Sequence, residues 1–443
     1  MNHTIAIVGL ACKGEIGFEK TWQLYRQTTD ALAAAHGNII DTNVIMWNSE
    51  TAKAALDRLN QQPFDILLIC VGTWSEDNHL LELIPVARKN GAKVILHAYP
   101  AVDTGSLCGV HQITSVFTDV GYTNFDFVYG EAADPKMTAD ILDIVEKTQP
   151  QAPGYAGDVC YVGAIGGRVP GMTEIAFDEF ALYEKCGAVI IPISETELLD
   201  HLEGIAPAQV EEEYQKLLAR GFKLTSTEAA LRESLAYYLT MKELVVKYRL
   251  CGLAVKCYTR YMGKVCLGYS LLSDEGIVCS CEGDVGNAVM MHIMQQVTGQ
   301  CVNHTDLLHP DVESNTILFA HCGSSGFTIA PKAEEVELAP VRLQDRGVCC
   351  LFIPKTGKVT LADLVGHGEK LRMSVIVGEA VETGMDFPGN PARVKFDIPV
   401  LELCTRIARM GCGHHWMIGY GDVSGQLETY CRERGILYQR VDA

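Results

Sequence analysis

Three short stretches hold side chains whose types and spacing suit chemistry. Cys281-Glu282-Gly283-Asp284 follows an apolar run and precedes a helical stretch stopped by Gly299. Asp306 follows a short strand-like piece, 301–305, and the apolar run 315–320 leads into His321-Cys322-Gly323. Three neighbouring strands therefore read as ending in Glu282, Asp306 and His321, and in an open α/β sheet ligands sit beyond the carboxyl ends of strands. A carboxylate there is not packing the core, where a lone ion would be costly. The bland reading of Glu282 and Asp284 is that they cap the following helix, since acids in a first turn suit its dipole. The third stretch is Gly411-Cys412-Gly413-His414-His415-Trp416. Successive side chains of an extended chain point oppositely, so one histidine reads as a ligand and the other as its neighbour. Carboxylates and imidazole with no thiolate requirement suit a hard or borderline divalent ion, Mn²⁺ or Mg²⁺ before Zn²⁺. Two carboxylates beside such an ion suit proton abstraction next to a carbonyl, one removing the proton and the other returning it.

Other chemistries fit less well. Gly9, Gly14 and Gly17 follow the first strand, but not as Gly-x-Gly-x-x-Gly, and Gly14 is followed by Glu15-Ile16 rather than by Lys and a hydroxyl. A bound dinucleotide or ATP is not indicated, so no organic cofactor is expected. The 443 residues carry 36 basic and 55 acidic side chains, a formal charge of −19. Such a chain repels phosphate backbones, which argues against a nucleic-acid partner. The start carries no basic n-region, and the longest uncharged apolar stretch of the first half, about 66–75, is far short of a membrane span. The 17 cysteines lie scattered in apolar contexts with no Cys-x-x-Cys pair. That reads as reduced, buried thiols in a cytoplasmic protein.

The elements that must position these residues read as α/β. Strand-like runs at 4–10, 38–46, 65–72 and 93–99 alternate with helical stretches at 18–35, 51–61 and 78–90. Apolar strands alternating with helices imply a doubly wound parallel sheet. Gln149-Pro150-Gln151-Ala152-Pro153-Gly154 reads as a linker. A second such unit follows, with strands at 159–165, 188–192, 253–257, 277–281 and 315–320 and a helical block at 208–249, where Thr225-Ser226-Thr227-Glu228 supplies a capping-box start. From about 327 to 398 short strands with Gly and Pro punctuation read as a small barrel, and the tail returns to α/β. The expectation is two doubly wound parallel-sheet domains, 1–150 and 151–326, then a β-rich, barrel-like domain, 327–443, with a closing α/β tail. Glu282 and Asp306 fall in the second domain and His415 in the third.

On these motifs the chain resembles the L-fucose isomerase and L-arabinose isomerase superfamily, in a short, fucose-isomerase-like form. The resemblance runs through Cys281-Glu282-Gly283-Asp284-Val285, Asp306, His321-Cys322-Gly323 and His414-His415. Val71-Gly72-Thr73-Trp74-Ser75-Glu76-Asp77, Thr104-Gly105-Ser106-Leu107-Cys108-Gly109 and Gly166-Gly167-Arg168-Val169-Pro170-Gly171-Met172 resemble its cleft loops. It implies a cytoplasmic aldose–ketose isomerase working through an ene-diol, with Mn²⁺ and with Mg²⁺ or Co²⁺ as alternatives. The fucose type's ligands fall on Glu282, Asp306 and His415, the two acids also forming the acid/base pair at C1 and C2 of an open-chain sugar. His321 is placed to fill the arabinose type's second histidine. His414 falls where the family has a polar substrate contact. The family also implies a homotrimer or homohexamer, with Trp74 and Lys13 donated to the next subunit's site. The chain is shorter than the well-known fucose isomerases, and its second acid, Asp306, differs from the Glu of the arabinose type. The substrate expected is a pentose, deoxyhexose or modified sugar. Two competing readings are a non-catalytic sugar-binding or regulatory protein, and a metal-assisted epimerase or lyase on a related sugar.

Overall fold

The computed structural model describes residues 3–100, 104–149 and 159–443. The linker expected at 149–154 falls outside them from Pro150 onward. The chain forms two compact units, Met1–Val159 and Cys160–Ala443.

In the first unit the strands are β1 (Ile5–Leu10), β2 (Ile39–Met46), β3 (Ile66–Val71), β4 (Lys93–Ala98) and β5 (Phe125–Tyr129). They form one parallel sheet in the order β2-β1-β3-β4-β5. β1 and β3 are buried along their whole length, as apolar runs covered by helices on both faces must be. Ile5, Ile7, Leu68 and Ile95 pack with Tyr25, Leu32 and Ile141 of the flanking helices.

The second unit contains β6 (Cys160–Ile165), β7 (Ala188–Ile193), β8 (Lys223–Leu224), β9 (Leu250–Val255), β10 (Val278–Ser280), β11 (Asn303–Asp311), β12 (Thr316–Ala320), β13 (Glu337–Val341), β14 (Arg346–Leu351), β15 (Gly357–Val365), β16 (Arg372–Val381), β17 (Ala392–Lys395), β18 (His415–Tyr420) and β19 (Leu437–Arg440). A parallel sheet runs β10-β9-β6-β7. A small sheet runs β14-β13-β8. The third, β15-β18-β11-β12-β17-β16-β19, is closed on itself by the pairing of β15 with β16, which yields the expected β-rich barrel. Trp416, Phe319, Leu361 and Ile376 are fully buried within its core.

Two features differ from the sequence reading. The apolar run ending at Ala320 is no strand of the parallel sheet: β11 and β12 pair antiparallel within the barrel. Burial on both faces makes a barrel strand and a parallel strand read alike in sequence. The helical block also divides into Pro207–Leu218 and Glu228–Tyr248. The second helix is capped by the Thr227 hydroxyl, which accepts from Ala230 N at 3.2 Å, while Thr225 turns away to donate to Glu337.

Among the described residues no helix is long and apolar enough to cross a membrane.

Candidate metal and acid–base site

One arm of the site is a turn. β10 ends at Ser280, and Glu282 follows in a left-handed conformation, φ 65°, which costs a residue with a Cβ about 1–2 kcal/mol. The surrounding chain enforces it. Glu282 N donates to Cys257 Sγ at 3.3 Å. Gly283 N donates to Val255 O at 3.0 Å, and Val169 N donates to Glu282 O at 3.2 Å. Gly283 has φ 74°, and a Cβ there would lie 2.0 Å from the Gly167 carbonyl oxygen. The glycine-rich loop at 166–171 thus clamps the turn and aims the Glu282 carboxylate outward.

The other arm is set by strand register. Asp306 lies within β11, not at a strand end, and pairs directly with His415 on β18 and with Ala320 on β12. Directly paired residues of neighbouring strands share a face, so Asp306 and His415 stand side by side. His321 follows the paired Ala320. The argument from parallel strand ends therefore holds for Glu282 alone, and barrel pairing brings in the rest.

His415 is the hub. Its Nδ1 meets Asp284 Oδ2 at 2.8 Å. Its Nε2 lies 3.3 Å from Glu282 Oε2 and 3.7 Å from Asp306 Oδ1. His321 Nε2 is 3.9 Å from Asp306 Oδ2. His414 precedes β18, which frees it from strand alternation. Its ring lies 3.8 Å from that of His415, and its Nε2 is 3.8 Å from Glu282 Oε2. Both histidines face Glu282, because strand alternation, which would turn neighbours to opposite faces, begins only at His415.

Electrostatics follow from these neighbours. Burial works against a charge on His415, but the carboxylates of Asp284 and Glu282 outweigh it and push the imidazolium up to about 10. Burial alone would raise the Glu282 carboxyl, yet His414 and His415 hold it well below the usual carboxylate range. Burial lowers His321, with Asp306 opposing. Asp363, fully buried on β15, is pushed up to about 7 by burial even though it accepts from Gly413 N at 2.7 Å.

The donor set fits a divalent cation. His415 Nε2, Asp306 Oδ1 and His321 Nδ1 are buried atoms with no hydrogen-bond partner among the described residues. Glu282, His414 and His415 can each offer one ligand atom within 4.8 Å of the others. Two carboxylates and imidazoles suit Mn²⁺-like ions. Asp284 on the far nitrogen of His415 stands where an outer carboxylate orients a histidine that holds a metal.

Three neighbours of the site, His304, Glu174 and Asp363, were missed in the sequence, and Asp284 was singled out without its partner. Asp284 does cap the helix Val285–Thr298, accepting from Asn287 N at 2.9 Å, and it also orients His415. The bland capping reading and a role at the site therefore hold together for Asp284. His304 lies edge-on to His415 and stacked on His321, at 4.4 and 4.7 Å between ring centroids, and can join both in holding an ion. Its spacing of two from Asp306 on one strand was the available signal. Glu174, 2.8 Å from His414 Nδ1, and Asp363 left no local signal.

Trp74 and Lys13 lie in the first unit. Trp74 Nε1 donates to Gln112 at 2.6 Å, and Lys13 Nζ sits 4.6 Å from the centre of the Trp47 ring. Lys13 and Trp47 line a small cavity there with Glu76 and His79.

No family model matches the chain. Curated relatives do. A protein of Alkalicoccus urumqiensis named "Sulfoquinovose isomerase" is 24% identical over 283 residues, 62% of this chain and 63% of that protein. An "L-arabinose isomerase" of Herpetosiphon aurantiacus is 26% identical over 186 residues, 40% of this chain and 37% of that protein. These relatives support the fucose/arabinose-isomerase-like superfamily, and with it an enzyme of the sugar-isomerase class, the intramolecular oxidoreductases. Along almost its full length the chain is similar to a Priestia megaterium protein also named "Sulfoquinovose isomerase", 20% identical over 91% of this chain and 92% of that protein.

Proposed function

We propose that this chain is a metal-dependent aldose–ketose isomerase with Glu282 and Asp306 as its acid/base pair. The observation that supports this most is the convergence of Glu282 and Asp306 on one buried ring nitrogen, at 3.3 and 3.7 Å from His415 Nε2. Glu282, Asp306 and His415 would hold Mn²⁺, with His321 as a further donor. The ion, when bound, polarises the sugar's carbonyl and hydroxyl oxygens. The protein's own groups move the hydrogen. One carboxylate takes the proton from C2 of the open-chain aldose, leaving an ene-diol. The other, protonated at the start, delivers its proton to C1, and the proton of O2 passes to O1. The two acids then return to their starting states by proton exchange with solvent, so the product is an isomer with nothing gained or lost. Asp284 holds the His415 ring in place, and His414 touches the sugar.

The relatives' names make sulfoquinovose, a modified sugar, the first substrate to test. A cleft of about 530 Å³ beside His414 is lined by His367 and Arg372. Arg372 Nε is buried without a hydrogen-bond partner among the described residues, which suits an anionic substituent on the sugar. Following the family resemblance, Trp74 and Lys13 would complete a neighbouring copy's site in a cytoplasmic homotrimer or homohexamer.

The test is ketose formation from a panel of sulfoquinovose, pentoses and deoxyhexoses, with the protein loaded with Mn²⁺ and with Glu282→Gln as control. Loss of turnover by about a thousandfold or more in the variant is expected, as for removal of a central acid/base group. Full activity in Glu282→Gln would remove this mechanism. Deuterium from D₂O appearing only at C1 or C2 separates isomerisation from lyase chemistry.

A further inference from the structure

A second cluster lies away from that site, on the parallel sheet of the second unit. The thiols of Cys160 and Cys251 and a ring nitrogen of His292 all lie within 4.8 Å of one another. Cys160 opens β6, Cys251 is the second residue of β9, and His292 is in the middle of the helix Val285–Thr298. β6 and β9 are parallel neighbours with Tyr161 opposite Leu250 and Val162 opposite Gly252. Cys251 is therefore the extra residue of a bulge, a device that re-aims a side chain. Tyr161 and Leu250 share one face, so Cys160 and Cys251, one residue away on each strand, share the other. The helix Val285–Thr298 packs on that face through Ala288 and Val289. His292 Nδ1 is buried with no hydrogen-bond partner among the described residues. All three residues are half-buried, so an ion can reach them.

We infer that Cys160, Cys251 and His292 form a second cation site that takes a borderline divalent ion of the Zn²⁺ class, with water as fourth ligand. On binding, the two thiols release their protons to solvent. Two metal–sulfur bonds and one metal–nitrogen bond form, and nothing is oxidised or reduced. Softer donors here and carboxylates at the first site sort two different metals. The position has a mechanical consequence. Both cysteines are at the starts of strands, whereas Glu282 follows the end of β10. The helix begins at its cap Asp284, which holds His415, and reaches His292 about 12 Å further along. An ion here pins the middle of the helix whose N-terminal cap, Asp284, orients His415.

The full-length reduced protein, stripped by a chelator, is titrated anaerobically with Co²⁺. A thiolate-to-cobalt charge-transfer band saturating at one equivalent and displaced by Zn²⁺ is expected. The first site offers oxygen and nitrogen donors, so cobalt there gives no such band. Cys251→Ser should at least halve the band, Cys160→Ser with Cys251→Ser should abolish it, and His292→Gln should weaken Co²⁺ binding at least about tenfold. Alkylation mapped by mass spectrometry on the unaltered protein supplies a readout independent of variant folding, with Zn²⁺ protecting Cys160 and Cys251. The proposal is overturned if no charge-transfer band appears, if the band is undiminished in Cys251→Ser, if Zn²⁺ leaves both thiols unprotected, or if a Cys160–Cys251 disulfide is recovered from fresh protein.

Discussion

His97 in β4 of the first unit and His415 in β18 of the second are both strand residues, 0% and 1% exposed. Nevertheless, burial pushes the His97 imidazolium down to about 4, while His415 is pushed up to about 10. The difference lies in the neighbours. His97 Nε2 lies 3.0 Å from the Gly130 carbonyl, and its ring packs 4.2 Å from that of Tyr99. His415 has three carboxylates, Asp284, Glu282 and Asp306, within 4 Å. A buried histidine becomes part of a chemical site when acids are placed around it, because they create a place for positive charge that burial alone removes. Positioning the acids is thus what the second unit's fold accomplishes, and the comparison breaks most readily where that positioning is weakest.

The largest effect is expected at the turn. Gly283→Ala sets a Cβ against the Gly167 carbonyl and forces a side chain onto a positive φ. Overlap and strain together should cost roughly 3 kcal/mol or more and displace Glu282. Thermal unfolding and turnover of Gly283→Ala are the measurements. An unchanged melting temperature with wild-type turnover would show that the clamp does not hold the acid.

How much of this was legible in the sequence depended on range. The parallel strands of the first unit show in their apolar runs, as at Ile66–Val71, because burial on both faces leaves a local signature. Glu282 was legible for a similar reason, as a charge just past such a run. Asp306 was singled out as a strand end, whereas it lies within β11. Its neighbours come from antiparallel register with β12 and β18, and the pairing with His415 spans about a hundred residues and leaves no local period. His304 could have been found from alternation along one strand. Glu174 could not, since only the folded chain brings it to His414.

The next effect concerns His97. Its folded-state value lies below the ordinary 6.5, so the folded first unit binds fewer protons than the unfolded chain between pH 6.5 and about 4. Stability is fully present above 6.5 and falls as pH drops through that window, by about 3 kcal/mol in all. His97→Asn removes the titrating group. Denaturation midpoints measured from pH 7 to 4 should show a shallower slope for the variant, whatever its stability at pH 7. Equal slopes would detach His97 from the acid sensitivity.

Asp284→Asn tests the hub more gently. Asparagine is as good a helix cap as aspartate, so the helix Val285–Thr298 should keep its stability. The amide no longer supplies the charge that holds His415 Nδ1–H, which moves His415 toward the situation of His97. Turnover and Mn²⁺ affinity should fall about 10- to 100-fold, with melting within a degree or two of the parent. If Asp284→Asn instead loses stability and keeps its kinetics, Asp284 serves only as a cap.

The smallest expected effect refines how Glu282 is held. Its backbone N–H has the Cys257 sulfur as acceptor, an unusual partner for a strained turn. Cys257→Ala removes the acceptor and leaves that N–H unpaired, at about 1 kcal/mol. Cys257→Ser replaces sulfur with a smaller, better acceptor. Several-fold lower turnover in Cys257→Ala, largely restored in Cys257→Ser, would mean that the acceptor itself aims the carboxylate. Equal losses in both would mean that sulfur's volume does so, because serine restores the hydrogen bond but not the packing. Either result separates the two ways in which a fold can keep an acid beside a buried imidazole.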